Sequence, residues 1–287
     1  MPMSQDSVHA CPGVTLDTAD FLAAMGFAAG DRVVITHIDD VGWCHGAAAG
    51  SFECFDYGLA RCGAVLTPSS WLPFVAQTCR ANPRYDLGVH LTLTCEYAAY
   101  RWRALSSRDP GSGLLDEDGY LWRTDAMAVE HVSPESAEQE FRAQIQAALE
   151  AGIDVTHVDG HMGVARAPKY ADVMDRLSRE FRIPFITPAL IPQRHHDLRL
   201  ERPPALQHYQ ERLRAIGPGL NYFLMHAARM TDEMLAAAGQ RSAEWRHGAY
   251  QAFTSPELKA WFRTEGIQTL GCREVRDYLR SRKAFGA

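Results

Sequence analysis

The stretch VVITHIDDVG, Val33 to Gly42, runs from apolar, β-branched residues into two adjacent carboxylates and a glycine. The β-branched run predicts a buried strand over Arg32–Ile38. Its end is unusual, because Asp39 and Asp40 place like charges side by side, which is costly unless a cation or a proton resolves the conflict. Neighbours on a regular strand point to opposite faces, so the two converge only if the backbone turns near Gly42. An N-cap on a helix over Gly46–Leu59 accounts for one aspartate and stays open as the alternative.

The same alternation recurs outward from this stretch. Further strands are expected at Ala64–Thr67, Leu87–Leu93, Val155–Asp159, Pro184–Thr187, Asn221–Met225 and Ile267–Leu270. Between them lie helical patterns. Ser133–Ala151 opens with serine at the N-cap and proline at the first helical position, and Pro168–Phe181 and Ser255–Gly266 repeat the proline start. Strands alternating with helices imply parallel pairing through right-handed crossovers. The expected fold class is α/β, a (β/α) barrel of about seven or eight parallel strands, distorted or incomplete in its closure. One such domain is expected over residues 1–287, with 1–15 as a flexible N-terminal stretch. Two segments break the alternation, 95–124 and 189–206, and are expected as loops over the strand ends where barrel sites assemble.

Composition narrows the function. With 46% hydrophobic residues, a net charge of −6 and a pI near 6.0, the chain lacks the basic face that nucleic acid requires. No apolar window reaches the roughly 18 residues of a membrane span, and the first residues carry no secretory pattern. The seven cysteines show no CxxC spacing, which reads as scattered reduced thiols in a cytoplasmic protein. Nothing in the composition argues against a homodimer.

Three further stretches carry polar residues where apolar ones are expected. In DLGVHLTLT, His90 shares a strand face with Thr92 and Thr94; a satisfied core histidine is the alternative. In THVDGHMG, His157, Asp159 and His161 stand at i, i+2 and i+4, one face of a strand. Two imidazoles and a carboxylate suit a divalent metal such as zinc, with Asp159 equally able to hold a histidine tautomer from behind; a solvated edge strand is the alternative. In NYFLMHAAR, His226 ends another apolar run, and by itself reads as a core or capping residue.

In order and spacing these landmarks resemble the YdjC-like family of carbohydrate deacetylases. The matching pieces are Asp39-Asp40 with Gly42, the GVHL strand (Gly88–Leu91), the THxDxH segment (Thr156–His161), the strand ending in His226, the loop phrase DEDGYLWR (Asp116–Arg123) and the tail Thr254–Val275. The resemblance implies a barrel related to polysaccharide deacetylases. It also implies one divalent ion, magnesium or zinc, held by Asp40, His90 and His161. Asp39 would be the general base and His226 a candidate general acid. Apart from the resemblance, His37, His157 and Asp159 are read as supporting residues. The substrate implied is a small carbohydrate, an amino sugar or short oligosaccharide losing an N-acetyl group as acetate. Tyr97, Tyr100, Trp102, Tyr120 and Trp122 are candidates to stack on its rings, with loop packing as the alternative. His37-Ile38 stands where Asn-Ala is usual, Val41 where phenylalanine is common, and Met162-Gly163 and Ala227-Ala228 also depart from the pattern, which marks a divergent branch. Two other readings stay open: another metal-dependent barrel hydrolase such as a phosphoesterase, and a non-catalytic carbohydrate-binding protein on the same scaffold.

Overall fold

The computed structural model describes residues 14–197 and 206–286. In chain order its elements are α1 (Thr18–Ala24), β1 (Arg32–Val41), α2 (His45–Tyr57), β2 (Cys62–Val65), α3 (Leu72–Ala81), β3 (Leu87–Leu91), α4 (Asp125–His131), α5 (Pro134–Glu150), β4 (Val155–Gly160), α6 (Ala171–Phe181), β5 (Gln193–His196), α7 (Leu206–Arg214), β6 (Gly219–Met225), α8 (Asp232–Phe253), α9 (Pro256–Thr264), β7 (Ile267–Leu270) and α10 (Cys272–Ser281). Local signals set several helix starts. The Ser133 hydroxyl accepts from the Ser136 N–H with Pro134 in the first turn, and Ser255 does the same for Leu258 ahead of α9.

All strand pairs are parallel, in the order β4-β3-β2-β1-β6-β5. β1 lies at the centre. Its C-terminal half pairs with β2 and its N-terminal half with β7. On one face of β1, Val33 and Ile35 join a core cluster with Phe21 and Leu22 of α1 and Val275 and Leu279 of α10. Strand alternation carries His37 and Asp39 onto that same face, so the sheet encloses a space apolar at the base and polar toward the strand C-termini. The other face of β1, with Val34 and Ile38, packs into the larger cluster under the surrounding helices.

Two expectations from the sequence are corrected here. Pro184–Thr187 is not a strand of the ladder. Phe185 makes a single parallel bridge to Val158 of β4, with Val158 N–H donating to Pro184 O and Ile186 N–H to Val158 O. Pro184 supplies no N–H, and at Thr187 the chain turns, its carbonyl accepting from Leu190. The strand lies instead at Gln193–His196, inside the segment expected as a loop, where it pairs in register with Asn221–Leu224 of β6. Its sequence QRHH is polar because it sits on an edge: Arg194 lies over the Tyr222 ring and His195 Nε2 meets Asn221 Oδ1. Among the described residues no hydrogen-bonded ladder joins β5 to the bridge on β4, so the curved sheet does not close fully. The N-terminal stretch 1–13 and positions 198–205 of the second expected loop lie outside the described residues. Segment 95–124 is loop-like, with one short 3-10 turn at Pro110–Ser112. No helix among the described residues is long and apolar enough to cross a membrane.

Candidate active site

The doubled aspartate converges because the chain bends at Asp40 itself. Asp40 has φ +61°, a left-handed conformation uncommon for residues other than glycine, and the register of β1 against β2 shifts between Ile38 and Val41. Gly42 follows at φ +79°, where a Cβ would press on Val75. The bulge swings Asp40 to the side of Asp39. Asp40 does not cap α2: Cys44 is the N-cap residue without a side-chain bond, and the first free N–H, of His45, donates to Glu233 Oε2 at 2.8 Å.

Three strand ends then meet. His90 Nε2 on β3 lies 3.3 Å from Asp40 Oδ1, and His161 Nδ1 lies 3.0 Å from the same oxygen. The three residues offer one ligand atom each within 4.8 Å of one another. His161 is not on β4, which ends at Gly160. It opens a tight turn in which Met162 and Gly163 take positive φ, and this turn redirects the ring. The far nitrogen of each imidazole is engaged by a carboxylate: His90 Nδ1 by Asp159 Oδ1 at 2.6 Å, His161 Nε2 by Glu96 Oε2 at 3.0 Å. Asp40 Oδ2 accepts from Arg246 Nη2 at 2.8 Å. Asp40 Oδ1, by contrast, is a buried oxygen that receives no aligned hydrogen bond; the imidazole nitrogens are close but do not point N–H groups at it. Nitrogen and oxygen ligands at about 2.0–2.2 Å from a common divalent ion stand roughly 3.0–3.5 Å apart, which these separations match. The donor set therefore fits a cation.

The electrostatics show a site dense in negative charge. Burial pushes Asp40 toward the neutral form, but Arg246 and His161 outweigh it and hold the carboxyl well below its ordinary value. Burial opposes charge on His161 too, yet the carboxylates of Glu96 and Asp40 raise it to about 9. For His90, Asp159 and Asp39 likewise outweigh burial and raise it.

The other residues singled out from the sequence divide around this cluster. Asp39 Oδ2 is 3.7 Å from His90 Nε2, and Asp39 Oδ1 is 2.8 Å from His37 Nδ1. His37 Nε2 meets His157 Nε2 at 2.7 Å. Hence the three members of THVDGHMG do not share one ion: His161 reaches Asp40, Asp159 reaches His90, and His157 turns to His37. His37, Asp39 and Asp159 form a second set with the spacing of ligands, but both nitrogens of His37 already have partners. His226 follows β6, whose Met225 pairs with Ile38, so register brings it level with Asp39. Its Nδ1 faces Asp197 Oδ1 at 3.2 Å and its ring lies against Trp245. Among the aromatics, Tyr97 stacks on Trp43 with its hydroxyl toward Arg246, and Trp102 lies edge-on to His161. Tyr100 donates to Glu233, Trp122 stacks on His131, and Tyr120 lies between Arg101 and Arg103.

Sequence reasoning missed Arg246 and Glu96. Glu96 directly follows the stretch LTLTC beyond β3, and its loop position was a signal. Arg246 gave none, because an arginine within a long helix normally faces water.

A family model described as YdjC-like protein matches residues 33–264. The carbohydrate deacetylase of Thermus thermophilus is 32% identical over 266 residues, covering 84% of this chain and 92% of that protein. The carbohydrate deacetylase of Brevibacillus brevis is 24% identical over 256 residues, covering 84% and 99%. Among solved structures, a candidate cellobiose-phosphate cleavage protein from Enterococcus faecalis shares the fold with a TM-score of 0.74 at 21% identity, over 85% of this chain and 99% of that one.

Proposed function

Because this chain belongs to the YdjC-like family, we propose that it is a carbohydrate deacetylase that removes an N-acetyl group from an amino sugar or short oligosaccharide and releases acetate. One divalent ion would be held by Asp40, His90 and His161. The observation that carries this reading is the buried Asp40 Oδ1, without a hydrogen, set between two imidazole nitrogens whose opposite nitrogens are each engaged by a carboxylate. Two imidazoles and one carboxylate suit zinc, whereas magnesium favours oxygen donors.

When bound, the ion supplies Lewis acidity toward the acetamide carbonyl and lowers the pKa of the attacking water. The protein's own groups do the rest. Asp39, anchored on one oxygen by His37, takes the water's proton with the other. His226 protonates the departing amine; Asp197 on Nδ1 leaves Nε2 as the nitrogen that delivers the proton. Tyr97 and Trp102 wall the triad, and Tyr100 and Trp122 brace the same loop for the sugar. A reducing, cytoplasmic setting accords with the six described cysteines, all buried free thiols.

Metal analysis of Asp40→Ala, His90→Ala and His161→Ala tests the ligand set: each is expected to lose the ion, and full occupancy in all three discards the assignment. Acetate release from N-acetylglucosamine oligomers tests the reaction. Asp39→Asn is expected to lower kcat about a hundredfold or more, and unchanged turnover removes Asp39 as base.

A further inference from the structure

The curved sheet is open between the bridge at Phe185 beside β4 and the edge strand β5, and an arginine stands on each side of that seam. Arg194 lies on β5 in register with Tyr222 of β6, which is in register with Ile35 of β1, so all three face the enclosed space. The Arg194 guanidinium carbon lies 4.1 Å from the centre of the Tyr222 ring. Arg166 ends the turn that follows β4. Gly163, at φ +78°, leaves room for it, since a Cβ there would stand 2.7 Å from Arg166 Nη2. Tyr222 also borders the proposed base: its ring centre is 5.3 Å from that of His37, whose Nδ1 holds Asp39.

These groups are donors without acceptors. Tyr222 is fully buried and its hydroxyl has no hydrogen-bond partner, and the buried Arg194 Nη1 has none either. Among the described residues, no carboxylate stands within ion-pair distance of Arg166 or Arg194. Buried polar groups are costly unless paired, and a guanidinium only donates, so what completes this set is an acceptor. Partial desolvation and the like charge of Arg194 lower Arg166, while Asp159, Asp39 and Tyr222 act the other way. Two cations thus face each other beside the base, an arrangement that a shared anion relieves. Planar guanidinium forks match a carboxylate, and Asp39 and Asp159 already draw on Arg166, which leaves charge for a monoanion rather than a dianion.

We propose that Arg166, Arg194 and Tyr222 form a carboxylate subsite, and that the sugar this protein acts on carries a carboxylate besides its acetamide. The acetamide rests on the deacetylase reading; the subsite rests on the three donors. The carboxylate accepts from the Tyr222 hydroxyl and Arg194 Nη1 inside the seam and from Arg166 at its outer edge, where that side chain is exposed. The three residues set specificity. They bind the acid group of the substrate and take no part in moving protons.

The test is binding calorimetry on the whole chain loaded with zinc. It compares N-acetylmuramic acid, an acetamido sugar with a carboxylate on a short ether arm, with its carboxamide, which has the same size and no charge. The acid is expected to bind at least tenfold more tightly. Replacing both arginines, Arg166→Met with Arg194→Met, is expected to abolish that preference and leave the carboxamide's affinity unchanged. Two milder variants guard against a failure to fold: Tyr222→Phe, which keeps the ring, and Arg166→Met alone, on the exposed side. Each is expected to reduce the preference severalfold. Equal affinity for acid and carboxamide, no binding of either, or a preference that survives every variant, as when the acid sits on the zinc, overturns the proposal. Tighter binding of N-acetylglucosamine 6-phosphate than of the acid, lost in the same variants, overturns the carboxylate assignment. The two readings fail separately. A variant-sensitive preference for the acid without acetate release discards the deacetylase and keeps the subsite, whereas acetate release from neutral N-acetylglucosamine oligomers with no such preference does the reverse.

Discussion

Two polar clusters are buried one above the other inside this sheet, and they resolve burial in different ways. At the strand ends, Asp40, His90 and His161 meet with Arg246, Glu96 and Asp159 behind them, and one carboxylate oxygen still receives no hydrogen. Below it, the column Asp39–His37–His157–Thr156–Asp86 uses its hydroxyl and both nitrogens of each imidazole in short hydrogen bonds. The lower cluster leaves no hydroxyl or ring nitrogen without a partner. The upper one is charged and leaves Asp40 Oδ1 without a hydrogen, which is the opening the proposed cation would fill. A buried polar group is tolerable when partnered and costly when not, so the unfilled valence marks where a ligand belongs.

Removing Arg246 should have the largest effect, because it strips the second oxygen of Asp40 in a site already short of one partner. Arg246→Met is expected to cost about 3–5 kcal/mol in urea unfolding of the metal-free protein, as for a broken buried ion pair. A loss below about 1 kcal/mol would mean that the upper cluster does not depend on its charges. Next is Asp86, raised from its ordinary 3.8 to about 6 by burial. A raised carboxyl binds its proton more tightly when folded, so its contribution is fully present below about pH 4 and is lost as pH rises through 6. The difference is about 3 kcal/mol. Asp86→Asn should therefore gain on the wild type by up to that amount between pH 4 and 7, and a pH-independent difference would place Asp86 outside this account. The smallest effect is expected at Gly88. Gly88→Ala should cost about 1–3 kcal/mol through overpacking against His157, with the upper cluster's metal content unchanged. A lost ion in that variant would show the two clusters to be mechanically coupled.

How far the fold was legible depended on how local each signal was. Ser133-Pro134 and Ser255-Pro256 marked helix starts because capping involves only a few neighbouring residues. Six of the seven expected strands appear, with ends moved by up to three residues. The seventh failed because Pro184–Thr187 is apolar without being able to pair, while the polar QRHH pairs by virtue of lying beside β6. In the site, THVDGHMG pointed to polar residues off the solvated edge, and His157, Asp159 and His161 are all buried. A strand pattern cannot reveal that the chain turns after Gly160 and sends its three polar side chains to three different partners.

What the sequence determined by itself was the alternation of parallel strands and helices and the placement of acidic and imidazole groups near strand ends. Those properties follow from side-chain periodicity, β-branching and capping, which act over a few residues. Only the tertiary structure decided which atom meets which. His37 and His157 are 120 positions apart, and Arg246 lies 206 from Asp40. Contacts at such separations depend on strand register, on the bend at Asp40 and on the space left by Gly88, and these exist only once the sheet has formed.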